Sequence, residues 1–223
     1  MPEKIDIKTS ALKANEEIAA RVRQRMAEHK IFCANLVSSP GAGKTTLLEK
    51  TIAALGNRLR LAVIAGDVQT ERDADRLRRA GCAEVAAIVT AGACHLDARM
   101  VEKALKPFDL SRLDLLFIEN VGNLVCPSSY DLGEDMKIVV MSAPEGDDKP
   151  LKYPAMFRKS SVLIINKIDL LGRSDFDLDR ARQHALQINA ALKTFDISCA
   201  TGAGLDNWFT WLTNQVRKKQ SSS

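Results

Sequence analysis

The sequence predicts a doubly wound α/β domain with a mostly parallel sheet, preceded by an N-terminal helical extension. Two observations predict it. Short apolar runs alternate with amphipathic segments of helical period, which is the pattern of parallel strands joined by crossover helices. Hydrophobic residues make up 46% of the 223 residues but aromatic residues only 5%. The core is therefore expected to be aliphatic, as in sheets that are buried on both faces.

The elements follow in order from the amino terminus. Residues 10–30 carry Leu12, Ile18, Val22 and Met26 at helical spacing and predict the leading helix. Strands are predicted at residues 31–37, 59–64, 85–89, 113–118, 138–141, 162–165 and 195–197. Helices are predicted at residues 45–55, 71–80, 96–105, 177–192 and 205–217. Because ligands of such sheets bind at the carboxyl ends of the strands, the turns after the strands are expected to carry the chemistry.

Composition limits the classes of function. The net charge is +4, with acidic residues interspersed among the basic ones. A nucleic-acid surface would need a denser basic stripe or interleaved aromatics, so no nucleic-acid partner is expected. No apolar run reaches membrane-spanning length, and the first ten residues lack the apolar core of a secretory signal. We therefore expect no membrane association and a cytoplasmic protein whose five cysteines are reduced.

The first predicted strand runs into a phosphate-binding loop. Residues 38–45 read SSPGAGKT between a strand and a helix, which is the context of a Walker A loop and predicts a P-loop NTPase. Lys44 is expected to reach the β- and γ-phosphates and Thr45 to ligate Mg²⁺, although Ser38 replaces the first glycine of the usual pattern. The predicted phosphate-binding residues are Gly41, Ala42, Gly43, Lys44, Thr45 and Thr46.

The sixth predicted strand ends in the form Asn-Lys-x-Asp, which predicts guanine as the base. The Asp169 carboxylate can accept from the N1–H and the 2-amino group of guanine, whereas adenine offers neither donor. Lys167 is expected to lie over the base, and Asn166 to tie this loop to the phosphate loop. The next strand leads to a second base-contacting loop, with Ser198, Cys199 and Ala200 as its candidates. GTP and GDP are therefore the predicted nucleotides.

Two other strands end in residues that are expected to sense the γ-phosphate. Asp67 is expected either to hold magnesium indirectly, beside Thr45, or to orient the attacking water. Glu119 has the position of the Walker B acid, and Gly122 is expected to offer its N–H to the γ-phosphate. The predicted catalytic residues are Lys44, Asp67 and Glu119. Neither a water-orienting glutamine nor an arginine finger can be assigned, so slow hydrolysis is expected unless a dimer or partner completes the site.

A thiol and imidazole set lies at the same predicted edge of the sheet. Cys94 and His95 are predicted to open a helix, and Cys126 lies four residues after Gly122. Such donors suit zinc or nickel, and three protein ligands would leave a position open for transfer. The spacing alone leaves equally open a buried cysteine and a helix-start histidine that never meet, because no CxxC or HxxxH pair fixes the geometry.

Several segments together resemble the hydrogenase nickel-incorporation GTPases of the HypB family. They cover residues 35–202, and the motifs that carry the resemblance read SSPGAGKT, GDVQTERDADR, CHLDA, ENVGNLVCP and PEGDDKPLKYP. The resemblance implies a P-loop GTPase domain at residues 31–219, with residues 1–30 as the helical extension. Residues 220–223 are expected to form a disordered polar tail.

The resemblance also implies a function. It implies a metallochaperone that hydrolyses GTP, forms a homodimer with GTP, and delivers nickel during [NiFe]-hydrogenase maturation. Its implied partners are a hydrogenase accessory protein and the hydrogenase large subunit. It implies a nickel or zinc site at Cys94, His95 and Cys126, near the dimer interface. The chain departs from some family members because no cysteine precedes Cys33 and because it has only three histidines. It is therefore expected to be a minimal form with one metal site.

Three alternatives remain. A urease-type nickel GTPase would carry its ligands as Cys-Pro-His, which this sequence lacks. A passive metal binder would not need the intact set of Lys44, Thr45, Asp67 and Asp169. A regulatory GTPase without metal delivery would tolerate alanine at Cys94, His95 and Cys126.

Overall fold

A seven-stranded parallel sheet forms the centre of the protein. The computed structural model describes residues 7–173 and 175–221. The strand order is β3-β2-β4-β1-β5-β6-β7, and every neighbouring pair is parallel. The strands are β1 (Phe32–Ser38), β2 (Leu61–Asp67), β3 (Glu84–Val89), β4 (Leu115–Gly122), β5 (Met136–Ser142), β6 (Val162–Asn166) and β7 (Lys193–Asp196). All seven predicted strands are confirmed.

Helices cover both faces of this sheet. They are α1 (Ile7–Glu28), α2 (Lys44–Leu55), α3 (Arg72–Arg79), α4 (Ala98–Ala104), α5 (Lys149–Lys152), α6 (Pro154–Lys159), α7 (Leu178–Ile188) and α8 (Leu205–Ser221). The short helices α5 and α6 were not predicted from the sequence. The predicted doubly wound P-loop architecture is confirmed. No described helix has the length and apolar content that crossing a membrane requires.

The core is aliphatic because the central strands are buried on both faces. Every residue of β1 and β6 is buried. Helices α2, α3 and α8 pack on one face of the sheet, where Trp208 is fully buried and donates from Nε1 to Thr51 Oγ1 at 3.0 Å. Helices α1 and α4 pack on one half of the other face, and α6 and α7 on the other half. This arrangement leaves the carboxyl ends of the strands free to form a site.

The leading helix packs against the sheet and the loops at its edge. It buries Ala19, Val22 and Met26. Asn15 accepts from the N–H of Ala98 at 2.8 Å and donates to a backbone carbonyl in the loop before β5 at 2.7 Å. The helix approaches Gly133 so closely that a Cβ there would lie 2.7 Å from Val22, which explains a glycine at a φ of +85°. Helix α1 thus fixes the loops around α4 and β5.

Several predicted boundaries differ from the structure by a few residues, and two of these differences have an evident physical cause. Helix α8 continues through Ser221, because Gln220 donates to Asp114 at 2.9 Å and Lys219 to Asp135 at 2.6 Å. Residues 220 and 221 of the predicted disordered tail are therefore helical, and residues 222–223 lie outside the described part of the chain. Helix α4 begins at Ala98, two residues later than predicted, because Asp97 caps it by accepting from the N–H of Met100.

Candidate functional site

The phosphate loop joins β1 to α2 at the carboxyl edge of the sheet. Gly41 has a φ of +77° and Gly43 a φ of +101°, and both values are in the region that favours glycine. A Cβ on Gly43 would clash with the amide of Asn166. Only glycine therefore lets the loop turn into the amino terminus of α2, where backbone N–H groups and the helix dipole favour phosphate.

Lys44 is buried at the first turn of α2. Its Nζ donates to Ser38 Oγ at 2.8 Å, and burial lowers its pKa. Ser38, which stands where the usual pattern has glycine, therefore accepts a hydrogen bond from the Lys44 ammonium. A second ammonium lies nearby, since Lys149 Nζ donates to Ser39 Oγ at 2.9 Å. Lys149, which also lies 3.4 Å from Glu145 Oε2, was not predicted to belong to the site.

A pair of hard oxygen ligands lies beside Lys44. Thr45 Oγ1 donates to Glu119 Oε1 at 2.6 Å, and the buried Glu119 Oε2 has no hydrogen-bond partner among the described residues. Burial raises the pKa of Glu119 to about 7, outweighing its attraction to Lys44. An unpaired buried carboxylate oxygen next to a threonine hydroxyl fits Mg²⁺, which prefers oxygen ligands and several waters.

Asp67 lines the same cavity as Lys44 and Thr45, but its hydrogen bonds are to residues that follow it closely in the sequence. Its Oδ1 accepts from the N–H groups of Gln69 and Thr70, both at 2.8 Å. These contacts and the charge of Lys44 lower its pKa despite some burial. Glu119, rather than Asp67, contacts Thr45 in this structure. The predicted role of Asp67 toward magnesium or water stays a prediction.

These groups line one cavity of about 410 Å³. Its walls are Pro40, Gly41, Gly43, Lys44, Thr45, Thr46, Gly66, Asp67, Val68, Asp73, Arg76, Glu119, Asn120 and Gly122. Two of them, Asp73 and Arg76, are additions to the predicted site. Arg76 donates to Thr46 Oγ1 at 3.1 Å and pairs with Glu49 at 2.8 Å. Both residues come from α3 and were not predicted to line the site.

The predicted guanine loop meets the phosphate loop. Asn166 Nδ2 donates to the carbonyl of Ala42 at 2.9 Å, which confirms the predicted tie. Lys167 Nζ donates to the carbonyl of Gly41 at 2.7 Å. Asn166 Oδ1 also accepts from the N–H of Cys199 at 3.2 Å. One amide therefore joins the phosphate loop to both predicted base-contacting loops.

Asp169 is oriented by the second of these loops. Its Oδ1 accepts from Ser198 Oγ at 2.5 Å. Ser198 is fully buried and its hydroxyl also accepts from the N–H of Thr201 at 3.1 Å. This arrangement fixes the direction of the carboxylate. The assignment of Asp169 to guanine, and of Ala200 to the same base, stays a prediction.

The thiol and imidazole set comes together in space. Cys94 Sγ lies 2.8 Å from Cys126 Sγ and 3.8 Å from His95 Nδ1, and ligand atoms of all three lie within 4.8 Å of one another. Cys94 and His95, which were predicted to open the helix, lie in the loop before α4. The His95 ring stacks on Tyr130 at 3.9 Å. The donors fit a thiophilic divalent ion such as nickel or zinc.

A short segment connects this cluster to the phosphate cavity. Strand β4 carries Glu119 and ends at Gly122, and a Cβ on Gly122 would lie 3.0 Å from Pro40 of the phosphate loop. The next residue, Asn123, donates from Nδ2 to the carbonyl of Cys94 at 3.1 Å. A movement of Gly122 would therefore reach Cys94 through one hydrogen bond and Cys126 through the backbone.

The buried carboxyl of Glu119 gives a pH prediction for the nucleotide-free, magnesium-free protein. Because its pKa rises from 4.5 to about 7 on folding, the folded state binds more protons than the unfolded state in that window. Stability is then lost as pH rises, by on the order of 3 kcal/mol. Glu119→Gln removes this loss. We expect its free energy of unfolding in urea to match the parent at low pH and to exceed it at about pH 8.

The matched control is Glu17→Gln, because Glu17 is exposed on α1. Its unfolding free energy should follow the parent at both pH values. A gain for Glu119→Gln that did not change between about pH 5.5 and about pH 8 would contradict the assigned cause.

Comparisons with known proteins agree with this arrangement. The family model for the CobW/HypB/UreG nucleotide-binding domain matches residues 32–196. The hydrogenase maturation factor HypB of Azotobacter chroococcum is 46% identical over 211 residues, which cover 95% of this chain and 69% of that protein. The crystal structure of HypB from Helicobacter pylori in complex with nickel is 39% identical, with a TM-score of 0.87, over 94% of this chain and 98% of that chain.

A second solved structure is also similar to this chain. The crystal structure of the hydrogenase maturation factor HypB from Archaeoglobus fulgidus is 37% identical. It covers 92% of this chain and 99% of that chain with a TM-score of 0.85. The matches span the phosphate loop, the guanine loop and the cysteine and histidine cluster together. The chain therefore belongs to the CobW/HypB/UreG family of nucleotide-binding proteins, within its HypB group of hydrogenase maturation factors.

Proposed function

We propose that this chain is a GTP-hydrolysing metallochaperone that delivers nickel during [NiFe]-hydrogenase maturation. One observation carries the proposal: the Cys94, His95 and Cys126 donors lie next to a nucleotide cavity, and a single segment, Glu119 to Cys126, belongs to both. A binder that only stored metal would not need this connection. Membership of the HypB group supports the same reading.

The residues of the chain have distinct roles in hydrolysis. Backbone N–H groups of the phosphate loop bind the phosphates, and Lys44 moves from Ser38 to the β- and γ-phosphate oxygens. Thr45 and Glu119 would hold Mg²⁺, which supplies charge neutralisation at the phosphates. Asp67 would orient the attacking water. Gly122 offers its N–H to the γ-phosphate, so its position depends on whether that group is present.

Nickel is the cargo of this site rather than a resident cofactor. Two thiolates and one imidazole hold a divalent ion and leave a position open for an incoming ligand. Loss of the γ-phosphate would move Gly122 and with it Asn123, which holds the Cys94 carbonyl. The two nucleotide states would then differ in metal affinity, as coupling between two sites requires. Zinc fits the same donors and is the competing ion.

We further propose that GTP brings two copies of the chain together and that the accessory protein and the hydrogenase large subunit are its partners. The support is the position of the cluster at the edge of the sheet, where Cys94 is exposed and Val125, directly before Cys126, is 61% exposed. An exposed apolar residue next to open metal ligands suits a surface that is covered during transfer.

Replacing Cys126 with alanine is expected to weaken nickel binding while GTP affinity stays near that of the parent. The thiolate is lost from the cluster, whereas Cys126 is not among the residues that line the nucleotide cavity. Nickel affinity is measured by titration under reducing conditions, and GTP affinity by calorimetry. Cys82→Ala is the matched control, because Cys82 is buried away from the cluster beside Leu61. Equal nickel affinity in Cys126→Ala and the parent would sink the metal assignment.

The coupling is tested by one titration in two nucleotide states. Nickel and then zinc are titrated into the protein with GDP and with a non-hydrolysable GTP analogue, while the mass in solution is recorded. A metal affinity or ratio that changes with nucleotide, together with a doubled mass with the analogue, supports the proposal. Equal metal binding in both states would leave a GTPase without this delivery mechanism.

A further inference from the structure

A chain of polar side chains is buried where β4, β1 and β5 lie side by side. Asn120 Nδ2 donates to Asn35 Oδ1 at 3.3 Å, and Asn35 Nδ2 donates to Glu134 Oε1 at 3.1 Å. That carboxylate lies 3.5 Å from Lys137 Nζ. Asn35 is fully buried, Asn120 is 1% exposed and Lys137 is 7% exposed. Burying four polar groups is costly unless each finds partners.

At one end of this row of buried polar side chains, Lys137 holds the segment that carries the metal ligand Cys126. Its Nζ donates to the carbonyl of Pro127 at 3.0 Å and to the carbonyl of Tyr130 at 3.1 Å. Pro127 directly follows Cys126, and the Tyr130 ring stacks on His95 at 3.9 Å with an interplanar angle of 23°. One buried ammonium therefore fixes the backbone next to the Cys126 thiol and the ring that lies on the His95 imidazole.

At the opposite end of the row, Asn120 holds the segment that carries the other two ligands, Cys94 and His95. Asn120 Oδ1 accepts from the N–H of Leu96 at 3.3 Å, directly after His95. Asn120 follows Glu119, whose carboxylate accepts from Thr45 in the nucleotide cavity. The polar chain thus contacts both segments of the cluster at its two ends. Its partners lie on the cluster segments, which an anchor of the sheet alone would not require.

We propose that Lys137 is a positioning residue for the metal cluster, acting through the carbonyls of Pro127 and Tyr130 on Cys126 and His95. Removal of a residue that orients the metal ligands without contacting the metal typically lowers metal affinity by about 10-fold to 100-fold. The inference rests on the proposed function, because it needs the cluster to bind metal.

The test is a nickel titration of Lys137→Met in the GDP-bound protein under reducing conditions. Methionine keeps the apolar stem but removes the three donors. We expect nickel affinity to fall about 10-fold to 100-fold and the nickel–thiolate charge-transfer spectrum to change. GDP affinity should stay that of the parent, because both held carbonyls lie outside the nucleotide cavity. Lys159→Met is the matched control, since Lys159 is exposed and lines the same surface groove as Lys137.

A second variant keeps the test decisive if Lys137→Met does not fold. Lys137→Gln retains an N–H donor on a shorter stem, so we expect nickel affinity between those of Lys137→Met and the parent. Parent-like affinity and spectrum in the folded variants, while Cys126→Ala is weakened, would overturn the positioning role alone. Weak or absent nickel binding by the parent would instead overturn the proposed function. A parallel loss of GDP affinity in both variants would show a general structural role and also overturn the inference.

Discussion

Replacing Lys44 with alanine is expected to lower the rate of GTP hydrolysis by about 100-fold to 1,000-fold. That is the usual cost of removing one preorganised group from a developing negative charge. Lys44 is buried, its ammonium donates a hydrogen bond to Ser38, and burial lowers the pKa of the ammonium. A buried cation freed from a hydroxyl interacts more strongly with phosphate than a solvated one would. Phosphate release in single-turnover experiments at saturating GTP measures the effect.

The matched control for this rate is Lys103→Ala. Lys103 is exposed at the end of α4 and does not line the nucleotide cavity. Its removal leaves the net charge of the two variants equal, so any general effect of charge on nucleotide binding is shared. Hydrolysis by Lys44→Ala at the rate of Lys103→Ala would show that the cavity beside α2 is not where GTP is cleaved.

The sheet could be predicted from the sequence because its strands are short aliphatic runs separated by helical periods. Each of β1, β4 and β6 is buried on both faces, so the hydrophobic pattern is unambiguous. The helices α5 and α6 escaped prediction for a physical reason. They have four and six residues, too few for a period to show, and proline stands in the first turn of each.

The residues of the site also fall into two groups, those that a local sequence pattern predicts and those that it does not. Motifs with fixed spacing, such as the phosphate loop and the loop at Asn166, place their residues through the local backbone, and the structure brings these two together. Contacts across strands have no spacing signal. Lys137 on β5 faces Asn35 on β1, 102 residues earlier by sequence number, only because the strands pair in register. A lysine inside an apolar strand was the one available signal, and it was missed.

Replacing Asp169 with asparagine is expected to convert guanine preference into xanthine preference. The carboxylate can accept from both N1–H and the 2-amino group of guanine, whereas the asparagine amide presents a donor to the 2-amino group. Xanthine carries a carbonyl at that position, which the amide can donate to. Loss of a charge-assisted hydrogen bond costs about 1.5–3 kcal/mol, so GDP affinity should fall roughly 10-fold to 150-fold. The affinity for xanthosine diphosphate should rise.

The structure supports a clean exchange at this position. Ser198 donates to Asp169 Oδ1, and an asparagine Oδ1 can accept the same bond, which leaves its amide directed at the base. Asp206→Asn is the matched control because Asp206 is exposed in the first turn of α8. Calorimetric titration of both diphosphates into the two variants measures the change. Unaltered GDP affinity in Asp169→Asn would mean that the carboxylate does not read the base, and the guanine assignment would fail with it.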